Sequence, residues 1–170
     1  MPLLDVEQLK KDKGRRMRVS FEETLPPIAA EGGKINRTKP ARFELLLTNI
    51  GNAITVEGTI NVEFAVRCDR CLKEFTCSMA AGFAETYYDA AQPPPGGAEE
   101  DWIPYSGDSI DITPEAKSAI TVNLPMRFIC LEDCRGLCPV CGTDLNKEQC
   151  KCNRDQVDPR LAKLQELLKS

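Results

Sequence analysis

Residues 54–75 read ITVEGTINVEFAVRCDRCLKEF, and the fold follows from them. Ile54, Val56, Ile60, Val62, Phe64, Val66 and Cys68 share one side of an extended chain, with Gly58 in the remaining place. Thr55, Glu57, Thr59, Asn61, Glu63 and Arg67 fall mostly on the other side. Period two sustained this long predicts a half-buried antiparallel strand, and Gly58 predicts a bend or bulge within it. The strand delivers Cys68-Asp-Arg-Cys71 to a tight turn. Phe75, Cys77, Met79, Ala81 and Phe83 then alternate on the way back, so the Cys-x-x-Cys pair is placed at a hairpin tip.

Six more cysteines lie in 130–152: Cys130, Cys134, Cys138, Cys141, Cys150 and Cys152. With Cys68 and Cys71 they make two sets of four thiols, the number a closed tetrahedral zinc site takes. In Cys138-Pro139-Val140-Cys141-Gly142 both sulfurs can reach one ion, and Gly142 permits the positive φ of a tight turn. Cys150 and Cys152, being i and i+2, share a face of an extended segment. A nine-cysteine chain whose first thirteen residues lack an apolar run is expected to use its thiols for metal rather than disulfides. Two zinc ions are expected, with one as the lesser alternative. Spacing favours Cys138, Cys141, Cys150 and Cys152 around one ion and Cys68, Cys71, Cys130 and Cys134 around the other. An interleaved pairing stays open. Cys77 is expected to pack as a small hydrophobe.

Around these motifs the chain reads as α+β. A mainly antiparallel β core (1–129), sheet or barrel-like, with a few short helices, precedes a cysteine-rich zinc-binding segment with a terminal helix (130–170). Leu3–Lys10 reads as a short helix, 16–22 and 42–49 as strands, and 31–40 as a polar loop. Residues 89–109, with Pro93-Pro94-Pro95 and Glu99-Glu100-Asp101, read as a mobile acidic loop. Thr113-Pro114 and Asp158-Pro159 each read as a helix start.

The 170 residues contain no histidine, which removes Ser-His-Asp and Cys-His nucleophile pairs and points away from an enzyme. Net charge is −4 but unevenly spread. Lys10, Lys11, Lys13, Arg15, Arg16 and Arg18 form a basic run suited to RNA phosphates, whereas 74–116 holds acidic residues and neither lysine nor arginine. Arg67, Arg70, Arg135, Lys147, Lys151 and Arg154 are placed to offset the charge of zinc–thiolate sites, about −2 for each ion held by four thiolates. No apolar run reaches the length of a membrane helix.

Arg67-Cys-x-Arg-Cys-Leu-x-x-Phe75, Ile110-Asp111, Leu124-Pro125, Cys130-Leu-Glu-Asp-Cys134-Arg-Gly-Leu-Cys138-Pro-x-Cys-Gly-x-Asp-Leu-Asn146, Cys-x-Cys152 and Asp158-Pro-Arg-Leu161 together resemble the YceD family. Its members are called large ribosomal RNA subunit accumulation proteins. The resemblance implies a cytoplasmic bacterial factor, without catalytic residues, needed for 23S rRNA accumulation and large-subunit assembly. Its partners would be rRNA, the pre-ribosomal large subunit or a ribosomal protein, met as a monomer and without a membrane. Some members keep the hairpin cysteines but lack the Cys-Pro-x-Cys-Gly block, which supports grouping Cys68 and Cys71 apart from Cys138 and Cys141. Two other classes compete: a zinc-stapled protein adaptor that touches no RNA, and a thiol redox protein using Cys68 and Cys71.

Overall fold

The computed structural model describes residues 2–30, 33–37, 39–97 and 101–152, with backbone alone at 28–30 and 33–37. The helix expected after Asp158 lies outside the described residues. Nine strands and two helices are arranged as β1 (Leu3–Asp5), α1 (Glu7–Lys10), β2 (Arg16–Glu23), β3 (Ile28–Ala30), β4 (Gly33–Arg37), β5 (Ala41–Asn49), β6 (Ile54–Arg67), β7 (Glu74–Asp89), β8 (Ile103–Tyr105), β9 (Ser109–Asp111) and α2 (Thr113–Asn123).

The long strand β6 organises them. One edge pairs along its whole length with β7, from Ile54 opposite Tyr87 to Arg67 opposite Glu74. Its other edge is shared by β5, from Asn49 opposite Ile54 to Arg42 opposite Asn61, and by β4, at Asn36–Ala65 and Arg37–Phe64. Between Arg37 and Arg42 the chain advances five residues while its partner advances three, so this line carries two extra residues. Pro40 sits in that gap, where its missing N–H removes a donor from the ladder. β2 pairs with β5 and β3 with β4, and Pro26-Pro27 separates β2 from β3 in the same way. The result is a four-line antiparallel meander, β2/β3, β5/β4, β6 and β7, whose two broken lines lie on one side and whose two continuous strands lie on the other.

Period two is obeyed throughout. In β6 the buried residues are Ile54, Val56, Ile60, Val62 and Phe64. From β5 come Phe43, Leu45 and Leu47, and from β7 Ala81, Phe83 and Tyr87. Phe21 stacks on its cross-strand neighbour Phe43 with centroids 4.8 Å apart. Leu4, Val6 and Leu9 cover one end of this face, and Ile110, Ile112, Ala116 and Ile120 cover more of it. Each such large side chain removed from water contributes about 1.5–3 kcal/mol. α2 starts where the Asp111 carboxylate accepts the Thr113 N–H at 2.9 Å and also its hydroxyl. Its first residue is Thr113 and its cap Ile112, at the start read from Thr113-Pro114, and Leu124, extended before Pro125, ends it. Buried Asn49 ties the first helix to the sheet. Its Nδ2 donates to the carbonyls of Leu9, Lys10 and Asp12, and its Oδ1 accepts the Gly51 N–H.

Four expectations are corrected. Among the described residues the sheet is open rather than a closed barrel, because β2 and β8 end the order without meeting. Leu3–Asp5 is a strand paired with β9, not helix, which leaves Leu3 exposed. Within 31–40, β4 completes a hairpin with β3. Within 89–109, β8 runs parallel to the end of β7, Ile103 opposite Tyr87.

At Gly58 the neighbouring strand β5 leaves no room for a side chain. A Cβ there would lie 2.0 Å from the Glu44 carbonyl oxygen. Gly58→Ala is expected to cost about 3 kcal/mol, seen as a lower urea midpoint at unchanged slope. An unchanged midpoint would mean that the Glu44 carbonyl yields freely.

Candidate metal centres

The hairpin tip, 68–73, folds into a knuckle. The Leu72 N–H donates to the Cys68 carbonyl at 2.8 Å, and the Cys68 N–H to the Lys73 carbonyl at 2.9 Å. Residues 138–143 repeat the pattern: Gly142 N–H to Cys138 carbonyl and Cys138 N–H to Thr143 carbonyl, both at 2.9 Å. In each, the residue after the second cysteine is left-handed, Leu72 at φ 60° and Gly142 at φ 73°. Glycine takes that conformation without strain, whereas Leu72 has a Cβ to accommodate. The first knuckle therefore lacks the glycine that makes the second legible in sequence.

The two knuckles gather different partners. The sulfurs of Cys68, Cys71, Cys130 and Cys134 lie within 4.8 Å of one another, as do those of Cys138, Cys141, Cys150 and Cys152. This is the partition that spacing favoured, and no disulfide joins any of the nine cysteines. Cys68 and Cys134 sulfurs are 3.9 Å apart, and those of Cys71 and Cys130 3.6 Å. A tetrahedron with metal–sulfur bonds of about 2.3 Å has edges of about 3.8 Å. A disulfide would bring the sulfurs to about 2 Å. Each group can thus hold a metal ion with little rearrangement.

Electrostatics agree. Burial pushes the Cys68 thiol up, but the N–H groups of Cys130, Cys71 and Arg70 outweigh it and hold it at about 6. Burial, then the neighbouring sulfurs of Cys71, Cys68 and Cys134, push Cys130 up to about 12. In the second group the backbone around Cys141 lowers Cys138, and the Thr143 hydroxyl, 3.2 Å from the Cys141 sulfur, lowers Cys141. Hydrogen bonding with Cys141, then burial, takes Cys152 up to about 12. Four sulfurs in so small a volume cannot all ionise by themselves, and a divalent cation resolves the conflict.

The first group also joins the sheet to the C-terminal block. Asp69 N–H donates to the Phe128 carbonyl, and the Asp69 carboxylate accepts the Phe128 N–H at 2.7 Å. Arg70 donates to the carbonyls of Glu132 and Cys134, and its own carbonyl accepts the Leu137 N–H. Phe75, Ile129 and Leu137 pack against the sulfurs. Asn146 links both groups: it follows the second knuckle, yet its Nδ2 lies 3.4 Å from the Cys134 sulfur and its Oδ1 accepts the Arg135 N–H. Sequence reasoning missed this role of Asn146. The basic residues expected near the sulfurs serve otherwise. Arg70 binds carbonyls, Arg67 pairs with Glu74, Lys147 pairs with Asp144, Arg135 and Lys151 are exposed, and Arg154 lies outside the described residues. Cys77 lies half-buried on the inner face of β7, away from both groups.

The basic run is split by the fold. Lys10 turns inward, with its ammonium 3.3 Å from Asp89, 3.4 Å from Asp108 and over the Tyr105 ring. Lys11 and Arg15 pair locally with Glu7 and Asp12. Lys13 is exposed, and Arg16 and Arg18 stand on the solvent face of β2.

Comparison with known proteins matches the profile of a family described as large ribosomal RNA subunit accumulation protein YceD to residues 56–168. The chain belongs to the YceD family. YlbN of Bacillus subtilis, an uncharacterized protein, is 30% identical over 156 residues, covering 88% of this chain and 87% of YlbN. An uncharacterized protein of Mycobacterium tuberculosis is 30% identical over 127 residues, 74% of this chain, which spans only 61% of that relative's length. A chloroplastic Arabidopsis protein named as a YCED homolog of the same description is 35% identical over 49 residues, 29% of this chain and 15% of that protein. No solved structure matches. The family is named for rRNA accumulation and not for a reaction, which supports a ribosome-related role. Among the described residues no helix is long and apolar enough to cross a membrane.

Gly136 sits where the block meets the tip. Its φ is +74°, and a Cβ would lie 2.8 Å from the Arg70 carbonyl oxygen. Gly136→Ala is expected to cost about 2 kcal/mol and to speed backbone hydrogen exchange at 68–73. Leu72→Gly, at the strained position of the first knuckle, should change stability by less than about 1 kcal/mol. A Gly136→Ala loss of only about 1 kcal/mol, the ordinary cost of a left-handed non-glycine residue, would show that the left-handed geometry, and not the close approach, is the controlling feature.

Proposed function

We propose that this YceD-family chain is a non-enzymatic factor that supports 23S rRNA accumulation and large-subunit assembly. Two zinc ions would be held, one tying its C-terminal segment, 130–170, to the β-rich part, 1–129, and the other closing that segment on itself. The observation that carries the zinc reading is the pair of four-sulfur groups, one of which draws its ligands from both parts. All-cysteine donor sets suit zinc, and a site whose four positions are filled by protein has a structural rather than catalytic role. The ribosomal reading rests on the family.

Cys68 is 0% and Cys71 7% exposed, which weighs against the thiol redox alternative. A redox thiolate must meet its substrate, and here the low-pKa sulfur is the covered one. The protein-adaptor alternative keeps one specific support, the cation-free acidic stretch 74–116.

RNA contact is assigned to Lys13, Arg16 and Arg18, with Lys11 and Arg15 able to exchange their exposed partners for phosphate. Surface pairs of that kind are worth at most about 1 kcal/mol. Lys10 is assigned a structural role. Arg16→Ala with Arg18→Ala should reduce the slope of log affinity for 23S rRNA fragments against log salt by about 1.5. Lys10→Ala should leave the slope alone and lower thermal stability. A slope untouched by the arginine variants would remove RNA from this face. Metal analysis of the purified chain should find two zinc equivalents, and Cys138→Ser with Cys141→Ser should leave one. Loss of both in that variant would mean that the sites depend on each other.

A further inference from the structure

β7 is paired with β6 over its whole length, but on its other edge β8 occupies only Tyr87–Asp89. Among the described residues nothing pairs with that edge from Glu74 to Ala84. Edge strands of folded proteins are normally guarded by lysine, proline or a bulge. This edge reads EFTCSMAAGFA, with neither lysine nor proline, and its register with β6 runs without a bulge. Its inner-face residues show the lack of cover. Phe75, Cys77 and Met79 are half-buried, while Phe64 and Val62, opposite Cys77 and Met79 in the ladder, are 0% and 2% exposed.

The charge beside this edge is one-sided. Glu85 on β7 lies close to Glu115 of α2 and to Asp101, and among the described residues no lysine or arginine pairs with any of the three. Burial first, then the two neighbouring carboxylates, pushes the Glu85 carboxyl up. Tyr87 donates to Glu115, which keeps that carboxylate at the same end of the strand.

We propose that the open edge of β7 takes up a lysine- or arginine-rich polypeptide segment in extended form, which adds a strand along Glu74–Ala84 and places cations against Glu85, Asp101 and Glu115. Main-chain hydrogen bonds would give affinity, and the carboxylates would select charge. The small exposed side chains Ser78, Ala80 and Ala84 leave room for the incoming strand's own side chains on the outer face. This names a partner chemistry for the assembly role above and rests on that role only for its cellular meaning. Binding of a purified probe is read without ribosomes, so the two readings fail separately.

The test uses the full, metal-loaded chain and a labelled alternating Lys-Val peptide of about ten residues, the length of the open edge. Two controls are an alternating Glu-Val peptide and a Lys-rich peptide with proline at every second position, which keeps the charge but cannot pair. Binding by fluorescence anisotropy should occur with the Lys-Val peptide alone and weaken with salt, and hydrogen exchange should slow over 74–84. Asp101→Asn with Glu115→Gln should weaken binding about tenfold. Ala80→Lys, an exposed guard on the edge, should weaken it similarly while leaving the melting temperature unchanged. Equal binding of the proline peptide, or binding without protection of 74–84, would overturn the proposal. So would protection of 74–84 by single-stranded RNA, or by self-association in the absence of peptide.

Discussion

Sulfur crowding at one turn is the constraint from which the rest of the molecule follows. Cys68 and Cys71 are presented at the end of the β6–β7 hairpin, outside the main core, where Phe75, Ile129 and Leu137 pack against them. They are buried because Cys130 and Cys134 close over them. That closure draws in Phe128, Arg70, Gly136 and Leu137, whose backbone groups would otherwise be left without partners in a partly dry junction. In a segment with so few apolar residues, hydrophobic burial alone would not offset the entropy of ordering some twenty residues at about 1–2 kcal/mol each. Metal–thiolate bonding, which the four-sulfur groups could supply, would be large enough to do so.

The hairpin's length has a second consequence. To hold the knuckle away from the main core, β6 and β7 run past β5, and β4 continues the line beyond Pro40. Among the described residues β7 has no such neighbour on its outer side until β8. The geometry that presents the metal ligands therefore also leaves a strand edge unpaired. In the second group Cys138 is buried, Cys141 is exposed, and every ligand comes from a single segment of fifteen residues. The first group can form only when the tertiary fold has formed. The second needs only local chain closure, at a low entropic cost.

What could be read from the sequence was what local chemistry specifies. The alternation in β6 and β7, the turn at Cys68–Cys71 and the second cysteine group depend on neighbours in the chain, and the first group follows from the four cysteines that the second leaves over. β4 was hidden because its residues, Gly-Lys-Ile-Asn-Arg, carry one apolar side chain, and its place is set by pairing with β3 and β6. β1 and β8 are three-residue strands fixed by partners about a hundred and about sixteen residues away, so no periodicity marks them. The basic run was misleading for a related reason. A charge count assigns Lys10 to the same surface as Arg16, but α1 turns it toward Asp89 and Asp108, which only the tertiary fold brings near.

The charge asymmetry then takes a definite place. β2, bearing Arg16 and Arg18, and β7, flanked by Glu85, Asp101 and Glu115, lie on opposite sides of the β5–β6 pair. An acidic protein whose charges were mixed would offer phosphates no attractive face, because only charges within a Debye length of about 8 Å act on them appreciably. Segregation to the two sides of a rigid sheet lets one side meet phosphates while the other stays unfavourable to them. For a chain with net charge −4, the proposed RNA contact would then use the β2 side, with the acidic side turned away. Orientation is set by the sheet, and the sulfur-bound junction keeps the C-terminal block in a fixed relation to it.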